Sequence, residues 1–179
     1  MKLIQQERSA MRDYQASIKT PFAHLGLCFV DNRLAAVDFI DADTEIAPRN
    51  QAAIRVCRWI EQYLEDPTAD VDVVGQCSNE GTPFQKKVWD ELRKIPPGEV
   101  VTYGELAKKL GTSARAVGNA CRNNPVPLVV PCHRVVSATG IGGFAGNTQG
   151  DWIRIKSWLL QHEGANALNP HRVSGDAKD

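Results

Sequence analysis

The sequence contains no apolar run near the roughly 20 residues that a membrane-crossing helix needs, no C-x-x-C pair, and no surplus of charge of either sign. The first absence argues against a membrane protein. The five cysteines, Cys28, Cys57, Cys77, Cys121 and Cys132, are odd in number and widely spaced, which suits neither a disulfide framework nor a zinc knuckle. Free thiols and no metal are expected. His24 and Cys28 would share one face of a strand, but two ligands do not make a metal site. The opening MKLIQQERSAMRDYQ lacks the apolar block of a secretory signal, so a cytoplasmic location is expected.

What is present is enough for a folded core: 179 residues, 42% of them apolar, make one ordinary domain or two small ones. The balance of 21 basic and 21 acidic residues hides an asymmetry. Nine Lys or Arg and four acids fall between Pro83 and Val136, which leaves 12 basic and 17 acidic residues elsewhere. A basic half of this kind is compatible with a polyanionic partner.

Ala23 to Ile40 reads as two apolar strands about an Asp31-Asn32 tip, a hairpin to which Tyr14–Lys19 adds a third strand. Ile54, Cys57, Ile60 and Leu64 repeat at helical spacing from Asn50 to Glu65, and Pro67 stops the helix. A small α+β unit with an antiparallel sheet is expected over residues 1–79, with a linker at Gly75–Gly81. The second unit, 80–164, opens on a capping box, Thr82-Pro83-x-Gln85, followed by Phe84, Val88, Leu92 and Ile95 at core spacing up to Pro96-Pro97-Gly98. A second box, Thr102-x-x-Glu105, starts a helix through Leu106 and Leu110 that Gly111 ends, and Ser113 caps a third helix, Ala114–Arg122. Two short helices with a Gly-containing turn fit a helix-turn-helix or a plain helical hairpin. The small residues Ala116, Gly118 and Ala120, with Arg115 and Arg122 at the helix ends, favour close approach to a nucleic-acid backbone. Residues 165–179 read as a flexible polar tail.

The segment VVPCHRVV sets a thiol beside an imidazole in an otherwise aliphatic run. A buried cysteine is ordinarily an inert small hydrophobe. Here Pro131 disfavours a regular central strand, His133 and Arg134 need partners if buried, and Asn124-Pro125-x-Pro127 precedes the run like a shaped loop. His133 is the base to activate Cys132. In an extended chain the two side chains would point apart, so a water relay is expected. Near the end, WIRIKSWLLQH is an amphipathic helix closed by Gly164, and Glu163 faces the negative end of its dipole. From the pattern alone Glu163 reads better as a solvated surface carboxylate.

GTPFQKKVW, VVTYGELA, ARAVGNACRNNPVPLVVPCHRVV and SWLLQHEG, in that order over about residues 80–164, resemble the O6-alkylguanine-DNA alkyltransferase family, the methylated-DNA-protein-cysteine methyltransferases. The resemblance implies an α+β protein whose carboxy-terminal domain is mainly helical and winged-helix-like. It implies direct-reversal repair of double-stranded DNA containing O6-alkylguanine, and also O4-alkylthymine. The alkyl group passes irreversibly to Cys132 in a single turnover, by a monomer that needs no cofactor. His133 is then the base, Glu163 the orienting carboxylate, Asn124 the link from the helical motif to the site loop, and Tyr103 the aid to nucleotide rotation and to the leaving guanine. Arg115 fills the vacated stack. The implied DNA face adds Thr102, Ala116, Gly118, Asn119 and Arg122, and the implied substrate pocket comprises Cys121, Pro127, Val135, Phe144 and Ala145, with carbonyls near Cys132 and Val135 reading the guanine edge. Phe144-Ala145-Gly146-Asn147 departs from the family pattern: Ala145 offers no hydroxyl to the substrate oxygen, and the connection to the last helix is longer.

Overall fold

Asp31 and Asn32 both take the left-handed conformation, with φ of 50° and 59°, which is the geometry that closes a two-residue hairpin between twisted strands. The computed structural model describes residues 13–40, 45–69, 77 and 80–165. Around that turn β2 (His24–Val30) pairs antiparallel with β3 (Arg33–Ile40), and β1 (Ala16–Lys19) pairs with the other edge of β2. A bulge at Cys28/Phe29 leaves Ala35 as the extra residue of β3. Helix α1 (Gln51–Glu65) is capped by Asn50, whose Oδ1 accepts from the Ala53 amide at 2.8 Å, and it packs on β1 and β3. Its buried stripe is Ala53, Val56, Cys57, Ile60 and Tyr63. Cys57 and Ile60 lie where the spacing puts them, whereas Ile54 and Leu64 are half-buried, because the adjacent stripe that carries Val56 and Tyr63 faces the sheet. Burial pushes the Cys57 thiol up to about 11.

The chain divides into two units, 1–80 and 81–179. Residues 75–76 and 78–79 of the expected linker and 166–179 of the expected tail lie outside the described residues. Cys77 is described and bridges to Leu34 in β3.

In the second unit Thr82 and Gln85 form the capping box of α2 (Pro83–Leu92). The helix ends at Leu92, so Ile95 is buried from the turn that follows, and Phe84, expected in the core, is 36% exposed on the first turn. Trp89 takes the core position instead, and its indole N–H donates to the Ala120 carbonyl at 3.0 Å. Strand β4 (Val101–Thr102) leads into α3 (Tyr103–Leu110), which ends on Gly111 with φ 64°. Ser113 then caps α4 (Ala114–Arg122). A loop brings the chain to a 3₁₀ turn, Cys132–Arg134, then to β5 (Val135–Val136), and the last helix is α5 (Asp151–His162). Strands β4 and β5 pair in parallel, Val101 opposite Val135, which sets the Cys132 turn beside the start of α3. Leu92, Leu159 and Leu160 are among the wholly buried side chains under this layer, each worth on the order of 2 kcal/mol of burial. Among the described residues no helix is long and apolar enough to cross a membrane.

A thiol pocket backed by a buried histidine-glutamate pair

Cys132 is reached through the loop Asn124–Pro131, and the structure shows why that loop is shaped. Leu128 sits at φ 75°, a conformation costly for a bulky residue, while the Asn124 side chain spans the loop from inside. Its Oδ1 accepts from the Val126 amide at 3.1 Å, and its Nδ2 donates to the Val130 carbonyl at 2.8 Å and to Cys132 Sγ at 3.2 Å. Residues 132–134 form a 3₁₀ turn, not the extended chain expected from the sequence. Burial raises the Cys132 thiol pKa, and the Asn124 hydrogen bond and the Lys156 charge oppose that rise.

Behind the thiol, His133 is 1% exposed and its Nε2 lies 2.9 Å from Glu163 Oε1. The reading of Glu163 as a solvated surface residue is thereby corrected: it is 8% exposed and stands at the C-cap of α5. Arg134 resolves its poor position on the helix dipole, donating from Nε to Oε2 at 2.9 Å and from Nη2 to Oε1 at 2.8 Å, a bidentate pair. Arg134 Nη1 donates to the Ile95 carbonyl. Gly98, at φ 83°, completes the fit, since a Cβ there would stand 3.0 Å from the Glu163 carbonyl. Burial works to raise the Glu163 pKa, but the hydrogen bonds from His133 and Arg134 prevail and hold the carboxyl far below the usual range. His133 is pushed down by burial against the pull of Glu163. A carboxylate accepting from Nε2–H fixes the neutral tautomer with an unprotonated Nδ1. That Nδ1 is buried with no hydrogen-bond partner among the described residues.

Cys132 lines a cavity of about 660 Å³. Of the residues singled out in the sequence, Tyr103, Arg115, Ala116, Gly118, Asn119, Cys121, Arg122, Cys132, Phe144 and Ala145 line it. His133, Glu163, Asn124, Thr102, Pro127 and Val135 do not. Thr102 is buried, and its hydroxyl is engaged by the Glu105 cap. Pro127 is buried in the loop, and the Val135 carbonyl accepts from Lys156. One wall is the turn Phe144–Asn147, closed by reciprocal backbone hydrogen bonds of 2.8 and 2.9 Å, with Ala145 and Gly146 both at positive φ. A Cβ at Gly146 would meet Arg122 Nε at 2.6 Å, so the arginine lies across the glycine. The Tyr103 hydroxyl donates to the Gly143 carbonyl at 3.2 Å, and burial drives its pKa up, which keeps it a protonated donor.

Arg134 and Lys156 are the buried groups that the sequence reading gave no partner. A charged residue inside an aliphatic run signals the first; Lys156 carries no such signal, since it sits in an amphipathic helix where lysine is commonplace. His24 and Cys28 are both half-buried on β2, and no group of three metal-ligating side chains forms among the described residues. None of the five cysteines is in a disulfide.

A thiol held by an N–H donor, with a neutral imidazole beside it and a carboxylate fixing the imidazole, is equipped to form a nucleophilic thiolate at a cavity wall. Residues 83–165 match the family described as 6-O-methylguanine DNA methyltransferase, DNA binding domain. The methylated-DNA–protein-cysteine methyltransferase of Salmonella typhimurium is 45% identical over 172 residues, covering 86% of this chain and 97% of that protein. The enzyme of the same name from Metallosphaera sedula is 34% identical over 146 residues, covering 82% and 90%. The crystal structure of Mycobacterium tuberculosis OGT in complex with DNA superposes with a TM-score of 0.68 at 30% identity, covering 83% of this chain and 91% of that one. The chain belongs to the methylated-DNA–protein-cysteine methyltransferase family and is a DNA-binding methyltransferase of DNA repair.

Proposed function

We propose that Cys132 is the alkyl acceptor and that the lesion base, O6-alkylguanine everted from double-stranded DNA, enters the 660 Å³ cavity. One observation carries this reading: of the Cys132–His133–Glu163 set, only Cys132 lines the cavity, while the other two are sealed behind it. Helices α3 and α4 act as a winged-helix-like helix-turn-helix, with the small residues Ala116 and Gly118 against the DNA backbone and Arg115 in the stack left by the flipped nucleotide. Eversion costs a few kcal/mol of unstacking, which an inserted side chain offsets.

His133 Nδ1 takes the thiol proton through a water, and Glu163 stabilises the imidazolium. The sulfur lone pair forms the S–C bond as the C–O6 bond breaks, and its electron pair passes to the purine. Tyr103 exchanges the Gly143 carbonyl for the leaving guanine and supplies a proton there. Because a thioether is a poor leaving group, transfer is irreversible and each molecule acts once, without a cofactor. A single chain provides every group named, which fits a monomer. Ala145 gives no hydroxyl to the substrate oxygen, so alkyl selection, including action on O4-alkylthymine, rests on shape.

The test is incubation with a duplex bearing O6-[methyl-labelled]guanine, followed by peptide mapping. One label per molecule on Cys132 is expected, with Cys132→Ala binding the duplex yet transferring nothing. Repair by that variant would refute the assignment.

A further inference from the structure

Arg122, the last residue of α4, borders the cavity but enters no step above. Its stem lies across the tip of the Phe144–Asn147 wall. A Cβ built on Gly146 would stand 2.6 Å from its Nε, 2.9 Å from its Cδ and 3.0 Å from its Cγ, and these are the three atoms nearest that position. Only a residue without a Cβ admits such an approach. The rest of the wall is secured from other directions. The Gly143 carbonyl accepts from Tyr103 and Lys156, and Phe144 is buried with its ring centroid 6.4 Å from that of Trp152. Gly146, at the tip, is exposed, and the stem of Arg122 is what lies on it. The contact is one of packing: among the described residues the guanidinium makes no hydrogen bond or ion pair, and its stem covers backbone as long cationic side chains do. Ala145 leaves discrimination among alkyl groups to the shape of the cavity, and shape discriminates only where the wall holds its place.

On the reading that Cys132 accepts the alkyl group in this cavity, we propose that Arg122 is a specificity-determining residue: its stem pins the Ala145–Gly146 tip of the wall and so limits the size of alkyl group that the cavity admits. A methyl group fits behind a fixed tip, whereas a benzyl group needs the tip to move outward. Because Arg122 belongs to α4, the wall is tied to the helix that carries the small residues facing the duplex. An arginine that only answers the negative end of the α4 dipole, or a DNA phosphate, needs its charge and not its stem. One that pins the wall needs its stem and not its charge. Methionine separates the two, since its Cγ, Sδ and Cε take the places of Cγ, Cδ and Nε.

The deciding measurement is a competition. Equal amounts of two duplexes of one sequence, one bearing O6-methylguanine and the other O6-benzylguanine, are offered in excess to the parent, Arg122→Ala and Arg122→Met, and the methylated and benzylated Cys132 peptides are quantified by mass spectrometry. A loss of DNA affinity is common to both duplexes and cancels in the ratio. Arg122→Ala is expected to raise the benzyl-to-methyl ratio at least about fivefold, within the range that one methylene of pocket space commands, and Arg122→Met to stay within about twofold of the parent. A smaller rise in Arg122→Ala overturns the proposal, as does a rise in Arg122→Met that matches it, which assigns the effect to the charge. Gly146→Ala reads the contact itself: its loss of melting temperature is expected to be smaller in the Arg122→Ala background, because the strain at φ 82° is common to both backgrounds and the collision is not. Equal losses in the two backgrounds count against the contact. Absence of both alkyl groups from Cys132 of the parent would instead sink the acceptor assignment; an alkylated Cys132 with an unmoved ratio sinks only the role of Arg122.

Discussion

Arg134 and Lys156 are both buried cations of the second unit, and both adjoin the Cys132 turn, but their surroundings differ. Arg134 meets a full carboxylate in bidentate geometry and a carbonyl, and the same carboxylate holds His133. Lys156 meets two carbonyls and, among the described residues, no carboxylate. The first cluster is balanced within itself, so it orients a base and tolerates burial. The second is left with a net positive charge in a site where a negative charge has to form. Buried ion pairs of the first kind are costly to break from one side, whereas removal of an uncompensated charge is cheap or favourable.

Breaking the balanced cluster has the largest expected effect. Glu163→Ala leaves Arg134 buried and unpaired and lowers unfolding free energy by about 3–5 kcal/mol in urea titration, with alkyl transfer lost. The Glu163 carboxyl pKa is depressed in the fold, so its contribution is present above the unfolded carboxylate value and is lost as pH falls through the folded value. Glu163→Gln therefore flattens the acid limb of stability, and a parent-like acid limb in that variant would contradict the balanced pair.

Asn124→Ala comes next. It removes the donor to Cys132 Sγ and to Val130 O and is expected to cost about 2 kcal/mol, with slower Cys132 alkylation by iodoacetamide at pH 7. Thr82→Ala, at an exposed cap far from either cluster in character, costs about 1 kcal/mol and leaves that alkylation rate unchanged.

The smallest stability effect sharpens the comparison most. The folded pKa of Lys156 is near 8 against 10.5 for the free side chain, so its cost is present in full below pH 8 and fades as pH rises toward 10.5. Lys156→Met removes a burden on the order of 3 kcal/mol, offset by two lost hydrogen bonds, so it melts within about 1 kcal/mol of the parent or above it at pH 7. A loss like that of Glu163→Ala would show that the two clusters are alike.

The elements that could be read from the sequence are those whose causes are local. Thr82 with Gln85, Thr102 with Glu105 and Ser113 with Ala116 act across three residues, and each cap formed as its spacing dictates. The Asp31-Asn32 turn belongs with them. Helical faces were less legible. Val56 and Tyr63 in place of Ile54 and Leu64, and Trp89 in place of Phe84, show that an amphipathic pattern leaves the buried stripe undecided until a neighbour is packed on it. At the site, the thiol and the imidazole were legible as one motif, but neither their geometry nor the cavity lining of α4 was: the 3₁₀ turn at Cys132 replaces the extended chain that adjacent-residue reasoning assumed, and α4 read as a nucleic-acid face.

By itself the sequence determined where helices start and stop, where the chain turns, and that Cys132 and His133 stand together in an aliphatic run. Only the tertiary structure decided which charges are buried and what they meet. Glu163 finds His133 thirty residues away, Arg134 reaches Ile95 across thirty-nine, and Lys156 lies on Val135 and Gly143, twenty-one and thirteen residues distant. Capping energies depend on neighbours in the chain and are written in it, whereas the cost of a buried charge depends on solvent exclusion and on partners that only packing brings within reach.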